Sequence, residues 1–254
     1  MDIVVLGSGN VATHFGKALS DAGHRVVQVY SRTKANAKIL ASAVKADAID
    51  KLAELDLDAD VYLIAVKDDA IGQVVTQLPS SLEGAVVHTA GSVDMEIFAA
   101  HVKRYGVMYP VQTFSIAKPV DFSMVPIALE ASDEATYTEL VRLAGSVSKR
   151  CFFCDSRQRL ALHIAAVFAC NFTNHFYAIG ADILGEYSLD FDLIRPLILE
   201  TAQKIMAHQP REVQTGPAIR NDIGTMQKHL KLLEQSHQDL VSLYRQMSER
   251  IYSN

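Results

Sequence analysis

The chain has 254 residues, of which 49% are hydrophobic and 21% are charged, and its formal net charge is −5. This length and composition predict one large or two smaller globular domains with a full hydrophobic core. The acidic balance argues against a general nucleic-acid binder, because the chain has no excess of basic side chains to neutralise phosphates.

Targeting segments and metal ligands are not indicated by the pattern. A predicted strand begins at Ile3, where a signal peptide would need a charged region and an apolar one. The longest apolar stretch, residues 163–179, is interrupted by His and Asn and is not typical of a membrane span. Three cysteines include Cys151 and Cys154, which we interpret as small buried residues rather than zinc ligands or a redox pair. We therefore expect a cytoplasmic protein with no metal site and no membrane contact.

The residues before Asp155 alternate short β-rich runs with helical patterns. Such alternation predicts an α/β fold with a Rossmann-type, doubly wound and mostly parallel sheet that is buried on both faces. The predicted strands are Ile3–Leu6, Arg25–Tyr30, Val61–Val66, Ala85–Thr89, Gly106–Met108, Val125–Glu130 and Cys151–Phe153. The predicted helices between them include Val11–Ala22, Ala35–Ala41 and Ala70–Gln77.

After residue 154 the pattern becomes helical. Leu160–Leu184 is predicted as one long helix, apolar on nearly all sides, that ends at Gly185. A helix of this kind must be covered by other helices or by a second subunit. We therefore expect a dinucleotide-binding domain over residues 1–154 and an all-helical domain over residues 155–254.

The rest of the helical half is predicted as three helices. Asp192–Met206 tolerates Pro196 in its first turn. A loop with Pro and Gly over residues 209–221 precedes two amphipathic helices, and Ser236 with Asp239 forms a weak capping-box pattern for the last of them.

A glycine pattern follows the first predicted strand. Residues 7–12 read Gly-Ser-Gly-Asn-Val-Ala and match G-x-G-x-x-A. They open a helix that Gly23 can end, and a second apolar strand follows at once, as the dinucleotide fingerprint requires. Gly7 permits the tight turn and Gly9 lets the backbone approach a pyrophosphate at the helix N-terminus. The alternative is a tight turn that binds nothing. The context favours a dinucleotide held by Gly7, Ser8, Gly9, Asn10 and Val11.

The second strand ends in Ser31, Arg32 and Thr33, and no acidic residue lies between Asp21 and Asp47. An enzyme that selects NAD usually has Asp or Glu here for the ribose 2′-hydroxyl. Hydroxyls and a guanidinium suit a 2′-phosphate instead, so the sequence favours NADP. The segment at the end of the third predicted strand, residues Ala65, Val66 and Lys67, is expected to run along the nicotinamide-side ribose.

These motifs resemble those of known NADP proteins. Gly-Ser-Gly-Asn-Val-Ala followed by Ser-Arg-Thr is similar to the NADP-binding halves of pyrroline-5-carboxylate reductases and deazaflavin-dependent NADP reductases. "VVHTAGSVD" (86–94), "YPVQTFS" (109–115), "HIAAVFACNF" (163–172) and "TGPAIRNDIGTMQKHL" (215–230) resemble a narrower group of oxidoreductase-like proteins, in which a Rossmann-like domain precedes a helical domain of unassigned function.

The resemblance covers essentially the whole chain and has three implications. It implies a helical half similar to those of 6-phosphogluconate and β-hydroxyacid dehydrogenases, paired into a homodimer through the C-terminal helices. It implies no particular substrate. A histidine is expected before the proline of "YPVQTFS", where this chain has Tyr109, so no acid–base role is assigned to that position.

Candidate substrate and catalytic residues lie after the predicted strands and on the long helix. His88 and Ser92 follow the strand "AVV" and are candidates for substrate binding, although His88 can equally be a satisfied histidine at a strand end. His163 can donate a proton and Asn171 can orient a substrate carbonyl, while a buried polar network is the alternative. Arg220 can bind a substrate carboxylate, or it can lock a turn by pairing with Asp222. Asp222 is also well placed to cap the next helix. Asp68 or Asp69 is interpreted as the cap of the next helix, and His175 is a weaker candidate.

The leading hypothesis is an NADP-dependent oxidoreductase that transfers a hydride between NADP(H) and a small carbonyl or imine. Two alternatives remain from the sequence. In the first, the chain is a non-catalytic NADP-binding sensor or scaffold that dimerises through its helical domain. In the second, it is a structural Rossmann-like protein that binds no nucleotide.

Overall fold

The computed structural model describes residues 1–253, and within them the strands form one eight-stranded sheet. The strand order is β3-β2-β1-β4-β5-β6-β7-β8. Strands β1 to β6 are parallel, β7 is antiparallel to β6, and β8 is parallel to β7. The strands are β1 (Asp2–Leu6), β2 (Arg25–Tyr30), β3 (Asp47–Ile49), β4 (Val61–Ile64), β5 (Ala85–His88), β6 (Tyr105–Pro110), β7 (Ile127–Ala131) and β8 (Cys151–Phe153). The predicted fold class, a mostly parallel Rossmann-like sheet followed by helices, is confirmed.

Helices cover both faces of the sheet. They are α1 (Asn10–Asp21), α2 (Lys34–Val44), α3 (Asp68–Val75) and α4 (Glu134–Gly145). Helix α4 was not among the predicted helices, although its buried positions Leu140, Leu143 and Ala144 follow helical spacing and Asp133 caps its N-terminus. The sequence analysis also missed β3, which has three residues and is too short to show a period.

The core of this α/β part lies in two layers, one on each side of the sheet. Alternate residues of a strand point to opposite faces. On β1, Val5 packs in one hydrophobic cluster and Val4 in the other. On β4 the same alternation separates Leu63 from Tyr62. Complete burial of these side chains explains why the strand segments read as continuous apolar runs.

A long, uninterrupted helix begins after a two-residue connection from β8. It consists of α5 (Ser156–Ala166), a π-helical turn (Val167–Phe172) and α6 (Thr173–Glu186). The prediction of one long helix is confirmed in extent, whereas the π turn was not foreseen. Gly185 lies inside the helix, so the predicted stop at this residue is wrong. The left-handed residue after the helix is Ser188, with φ of 55°.

Arg159 anchors α5 to the sheet. Its side chain is 1% exposed, and Nη1 lies 2.5 Å from the Glu130 carboxylate on β7. Nη2 donates to the carbonyl oxygen of Val93, and Ser156 donates its hydroxyl to Glu130. A buried guanidinium is tolerated because this pairing and these hydrogen bonds replace the hydration of its two Nη groups, although the buried Nε has no partner among the described residues. The network fixes α5 beside the carboxyl ends of β5 and β6.

The described chain divides into two compact units, Met1–His175 and a second unit from Phe176 onward. The first unit therefore includes α5 and the π turn, beyond the expected limit at residue 154. The second unit contains the rest of α6 together with α7 (Arg195–Ala207), α8 (Ile223–Ser236) and α9 (Leu240–Tyr252). Among the described residues, no helix has the length and hydropathy needed to span a membrane.

Helix ends in the second unit agree with the sequence prediction in part. Pro196 lies in the first turn of α7, as expected. Asp222 caps α8 by accepting from the backbone N–H and the hydroxyl of Thr225. The capping box predicted for α9 is wrong, because Asp239 makes no capping hydrogen bond and Ser236 belongs to the last turn of α8.

Candidate functional site

A groove of about 310 Å³ lies at the carboxyl ends of β1, β2 and β4. This is the edge at which ligands bind in open α/β sheets. Most of the residues predicted to hold a cofactor meet here: Gly7, Ser8, Gly9, Ser31, Arg32, Ala65, Val66 and Lys67 all line the groove. Asn10, Val11 and Thr33 are neighbours of these residues in the chain and are not part of its lining.

The two glycines of the motif have different structural roles. Gly7 has φ of +137°, and a Cβ atom there would lie 2.3 Å from the carbonyl oxygen of Ala65. Its N–H donates to the carbonyl oxygen of Tyr30, so the turn is held between β4 and β2. Gly9 precedes α1, and a Cβ atom built on it meets nothing within 4 Å. Gly7 is therefore required by packing, whereas Gly9 leaves open space beside the start of the helix.

The first turn of α1 presents backbone N–H groups at this open space. No side chain caps the helix, because the N-cap residue is Gly9. Asn10 instead donates its side-chain amide to the carbonyl oxygen of Phe114, which holds the loop after β6 next to the helix start. Unpaired N–H groups and the positive end of the helix dipole form a ready anion-binding site.

The loop after β2 supplies hydroxyl and guanidinium groups. Ser31 accepts a hydrogen bond from the Ser8 hydroxyl at 3.1 Å, so the two loops are tied together. Arg32 is exposed and lines the groove. Its chain neighbourhood carries no carboxylate before Asp47, so the end of the groove near β2 suits a phosphate.

Sequence reasoning missed one wall of the groove. Four residues at helical spacing, Ala70, Gln73, Val74 and Gln77, line it from α3 and the turn after it. Their spacing of three and four was visible in the sequence as one face of the predicted helix. Assigning that face to a ligand rather than to the core required the position of α3 relative to β1.

A second cluster of polar groups lies next to the groove, at the ends of β4, β5 and β6. Ser92 donates its hydroxyl to the Asp68 carboxylate at 2.5 Å. Asp68 follows Lys67 of the groove and is the first residue of α3, whose N-cap is Lys67. The expectation that Asp68 or Asp69 caps α3 is wrong, because no side chain makes a capping hydrogen bond there.

His163 belongs to this second cluster. Its Nδ1 lies 3.2 Å from the hydroxyl oxygen of Tyr109, and the two rings meet edge to face. Gly91 packs against both side chains, and a Cβ atom on it would lie 2.7 Å from Nδ1 of His163 and 2.9 Å from Cζ of Tyr109. Tyr109 is the residue that sequence reasoning set aside, and the structure places it beside the histidine that was chosen.

His88 does not face this edge. Its side chain is fully buried and stacks on Phe98, while Nδ1 accepts from the backbone N–H of Ala90. Burial, followed by the charge of Arg159, lowers the pKa of His88 to about 3. A neutral imidazole sealed inside the domain does not contact a substrate, so the structure corrects the assignment of His88 to substrate binding and favours the alternative of a strand-end histidine in the core.

Two candidate residues remain, one on the π turn and one in the second unit. Asn171 is exposed on the π turn. An added residue in that turn changes the helical phase, so the angle expected between His163 and Asn171 on an α-helix no longer applies. Arg220 is exposed in the second unit and forms no ion pair within 4 Å in the part of the chain that the structure describes. It still contributes to lowering the pKa of Asp222, after the two hydrogen bonds from Thr225.

The described residues contain no group of three or more His, Cys, Asp or Glu side chains arranged to hold a metal ion. Cys151 is half-buried, Cys154 is buried and Cys170 is exposed, and all three thiols are free. Burial raises the pKa of the Cys151 and Cys154 thiols.

Comparison with known proteins gives two family matches along the chain. Residues 2–90 match the model of the coenzyme F420-dependent NADP oxidoreductases. Residues 125–251, half of the chain, match a domain of unknown function, DUF2520. No curated protein matches the chain at a significant level.

Solved structures resemble the whole chain. BF3122 of Bacteroides fragilis, a candidate NADP oxidoreductase, is 42% identical, with a TM-score of 0.90 over 100% of this chain and 98% of that one. A 1-pyrroline-5-carboxylate reductase of Streptococcus pyogenes is 14% identical, with a TM-score of 0.66 over 100% and 99%. A reductive aminase of Aspergillus terreus, in complex with NADPH and ethyl-5-oxohexanoate, is 14% identical, with a TM-score of 0.74 over 98% and 92%. The last two likenesses concern the fold alone.

Proposed function

Since this chain belongs to the NADP oxidoreductase family that joins an F420-type NADP domain to a DUF2520 domain, we propose that it reduces a small carbonyl or imine compound with NADPH. NADP is the cofactor of this family. Catalytic activity and the class of substrate are the proposed part. One observation supports the proposal most directly, namely a groove for the cofactor that adjoins a cluster of groups able to bind and protonate a substrate.

The groove fits NADP in shape and in chemistry. The open space beside Gly9 allows a pyrophosphate to approach the backbone N–H groups at the start of α1. Ser31 and Arg32 would hold the 2′-phosphate, and Val66 and Lys67 would follow the nicotinamide-side ribose. When bound, NADPH supplies a hydride for reduction.

The cluster next to the groove would take the substrate. Ser92 is exposed and shares a hydrogen bond with Asp68, so its hydroxyl is held at the edge of the sheet. His163 is partly exposed on α5 and is held by Tyr109. We retain Asn171 as a proposed substrate contact, with its amide for a carbonyl group. Arg220 of the second unit is retained by itself as a residue whose guanidinium could bind a carboxylate. A homodimer of cytoplasmic location is part of the same proposal.

The first experiment measures cofactor binding. Purified protein is titrated with NADPH and with NADH, and nicotinamide fluorescence is followed for the wild type and for Arg32→Ala. We expect wild type to prefer NADPH, and we expect Arg32→Ala to weaken NADPH binding by about tenfold with little effect on NADH, because a charge-assisted contact to the 2′-phosphate is lost. The matched control is Lys38→Ala, which removes an exposed cation of α2 outside the groove.

A panel of keto acids, cyclic imines and deazaflavins then tests for NADPH oxidation. Turnover of a carbonyl or imine supports the proposal. NADPH binding with background oxidation across the panel would overturn the reductase function and would favour a non-catalytic NADP-binding protein. Failure to bind either nucleotide would remove the basis of both.

A further inference from the structure

Tyr109 and His163 form a hydrogen-bonded pair that the sequence analysis did not foresee. Tyr109 lies one residue before the end of β6, and His163 lies on α5. The 3.2 Å separation between the phenol oxygen and Nδ1 is within hydrogen-bonding range. Gly91, in the loop after β5, leaves no room for a Cβ atom against either ring, so the loop and the pair fit closely. The pair therefore lies at the carboxyl edge of the sheet, beside the loop that carries Ser92.

Two charged side chains and one thiol interact electrostatically with Tyr109 of this pair. Asp68 reaches it from the start of α3 and holds the Ser92 hydroxyl. Arg159, one turn before His163 on α5, is paired with Glu130. Cys170 adds a titratable thiol from the π turn. Burial, followed by the negative charge of Asp68, raises the pKa of the Tyr109 phenol, so the hydroxyl keeps its proton at neutral pH.

The other polar groups at this edge are less suited to giving a proton to a substrate. Asp68 is an acceptor in its bond with Ser92, as expected of a carboxylate. His88 is sealed in the core. The Arg159 guanidinium is 1% exposed and does not lose a proton in proteins. Tyr109 has a proton and a neighbour that can replace it.

We propose, on the basis of the proposed function, that Tyr109 is the proton donor of the reduction and that His163 resupplies its proton. With NADPH bound, the hydride released as the C4–H bond of its dihydronicotinamide breaks would form a C–H bond at the substrate carbon, leaving NADP⁺. The π electron pair of the C=O or C=N bond would move to oxygen or nitrogen. The Tyr109 O–H bond breaks as its proton goes to that atom, and the phenolate oxygen takes the proton from Nδ1 of imidazolium His163. The neutral imidazole then takes a proton from solvent, to which the side chain is partly exposed.

Two variants separate the members of this pair. Tyr109→Phe removes the donor and keeps the ring, and His163→Gln removes the resupplying group and keeps Tyr109. With a compound that the wild type reduces, we expect Tyr109→Phe to lower kcat by about 100-fold, the lower range for loss of a general acid. We expect His163→Gln to lower kcat as well, because the phenolate of Tyr109 loses the group that returns its proton. His101→Gln, which changes an exposed histidine with no role in the candidate site, is the matched control.

Two further measurements do not depend on turnover. The dissociation constant of NADPH should be the same in Tyr109→Phe as in the wild type, because the pair lies outside the groove lining. The ¹⁵N chemical shifts of the His163 ring should change in Tyr109→Phe and stay unchanged in His101→Gln, because Nδ1 loses its partner in the first variant alone.

The outcomes distinguish this inference from the proposed function. Wild-type kcat in folded Tyr109→Phe, or unchanged His163 ring shifts in that variant, would overturn the proton-donor role while leaving a reductase in place. A wild type that binds NADPH and reduces nothing in the panel would overturn the proposed function and the proton-donor role with it. If Tyr109→Phe loses its fold, His163→Gln decides, and wild-type kcat in that folded variant would count against the pair.

Discussion

At the scale of single residues, the two glycines of the motif differ in whether the fold has room for a Cβ atom at their position. Gly7 is strained for any other residue, because its φ is +137° and a Cβ atom would meet the Ala65 carbonyl oxygen at 2.3 Å. Gly9 has extended backbone angles and open space around its Cβ position. A sequence motif does not reveal this difference, since both positions read as glycine. The difference can be measured by one substitution at each position.

We predict that Gly7→Ala lowers the free energy of unfolding by at least about 1–3 kcal/mol, the usual cost of a residue held in a disfavoured conformation. Gly9→Ala should unfold at nearly the wild-type temperature but bind NADPH at least about tenfold more weakly, because its methyl group occupies the space for the pyrophosphate. Thermal unfolding and fluorescence titration measure the two effects. Tight NADPH binding by folded Gly9→Ala would contradict the placement of the cofactor.

His88 predicts a pH dependence of stability. Burial lowers the pKa of this imidazole to about 3 in the folded protein, whereas an unfolded histidine has a pKa of about 6.5. The neutral imidazole of His88 therefore contributes its full stabilisation above pH 6.5. This stabilisation is lost as the pH falls from 6.5 toward 3, because the unfolded chain binds a proton there and the native state does not. Between pH 6.5 and pH 5 the loss amounts to about 2 kcal/mol.

Urea unfolding between pH 5 and pH 8 measures this contribution. His88→Asn, whose amide oxygen can accept from the N–H of Ala90, should be less stable at pH 8 and should lose less stability than the wild type between pH 6.5 and pH 5. His101→Asn changes an exposed histidine and serves as the control, with the wild-type slope expected. A slope in His88→Asn equal to that of the wild type would show that other groups cause the acid sensitivity.

At the scale of elements, the sequence predicted what depends on local pattern. The βαβ unit from β1 to β2 was predicted with its glycine turn, because strand period, helix period and turn residues all lie within one short segment. Pro196 at the start of α7 and the cap at Asp222 are equally local. Ser236 and Asp239 also fit a local rule, yet α8 extends through Ser236 and the rule fails. Tertiary contacts decide between competing helix ends, and a single sequence does not contain them in readable form.

Only the cofactor-binding part of the candidate site could be predicted from the sequence. Cofactor residues follow from the motif, so their meeting in one groove agrees with the sequence. The pair of Tyr109 and His163 joins residues 54 positions apart. It depends on β6 lying beside β5 and on Arg159 fixing α5 next to both strands. The π turn also changes the helical phase along the long helix, and no local sequence pattern predicted it. Local chemistry was readable, and long-range pairing was not.

At the scale of the whole molecule, the helical second unit leaves many large apolar side chains in contact with solvent. On α7, Leu197 is 65% exposed and Met206 is 86% exposed, while Leu199 and Ile205 are also exposed. On a helix with 3.6 residues per turn, Leu197 and Met206 point to opposite sides, so exposure is not limited to one face. Monomeric proteins rarely present large contiguous apolar patches to water. These side chains therefore favour a covering partner, and a second copy of the same chain can cover them symmetrically.

We predict that the wild type forms a homodimer through the second unit and that Leu197→Glu combined with Met206→Glu converts it to monomer, because buried carboxylates without partners are costly at an interface. Light scattering after gel filtration should give twice the chain mass of 27.9 kDa for the wild type and 27.9 kDa for the double variant. The control is Met124→Glu, which changes a side chain that is 69% exposed in the first unit and should remain dimeric. Far-UV circular dichroism checks that the double variant stays helical. A monomeric wild type would show that no dimer forms. A folded double variant that stays dimeric would show that the dimer forms through a surface other than α7.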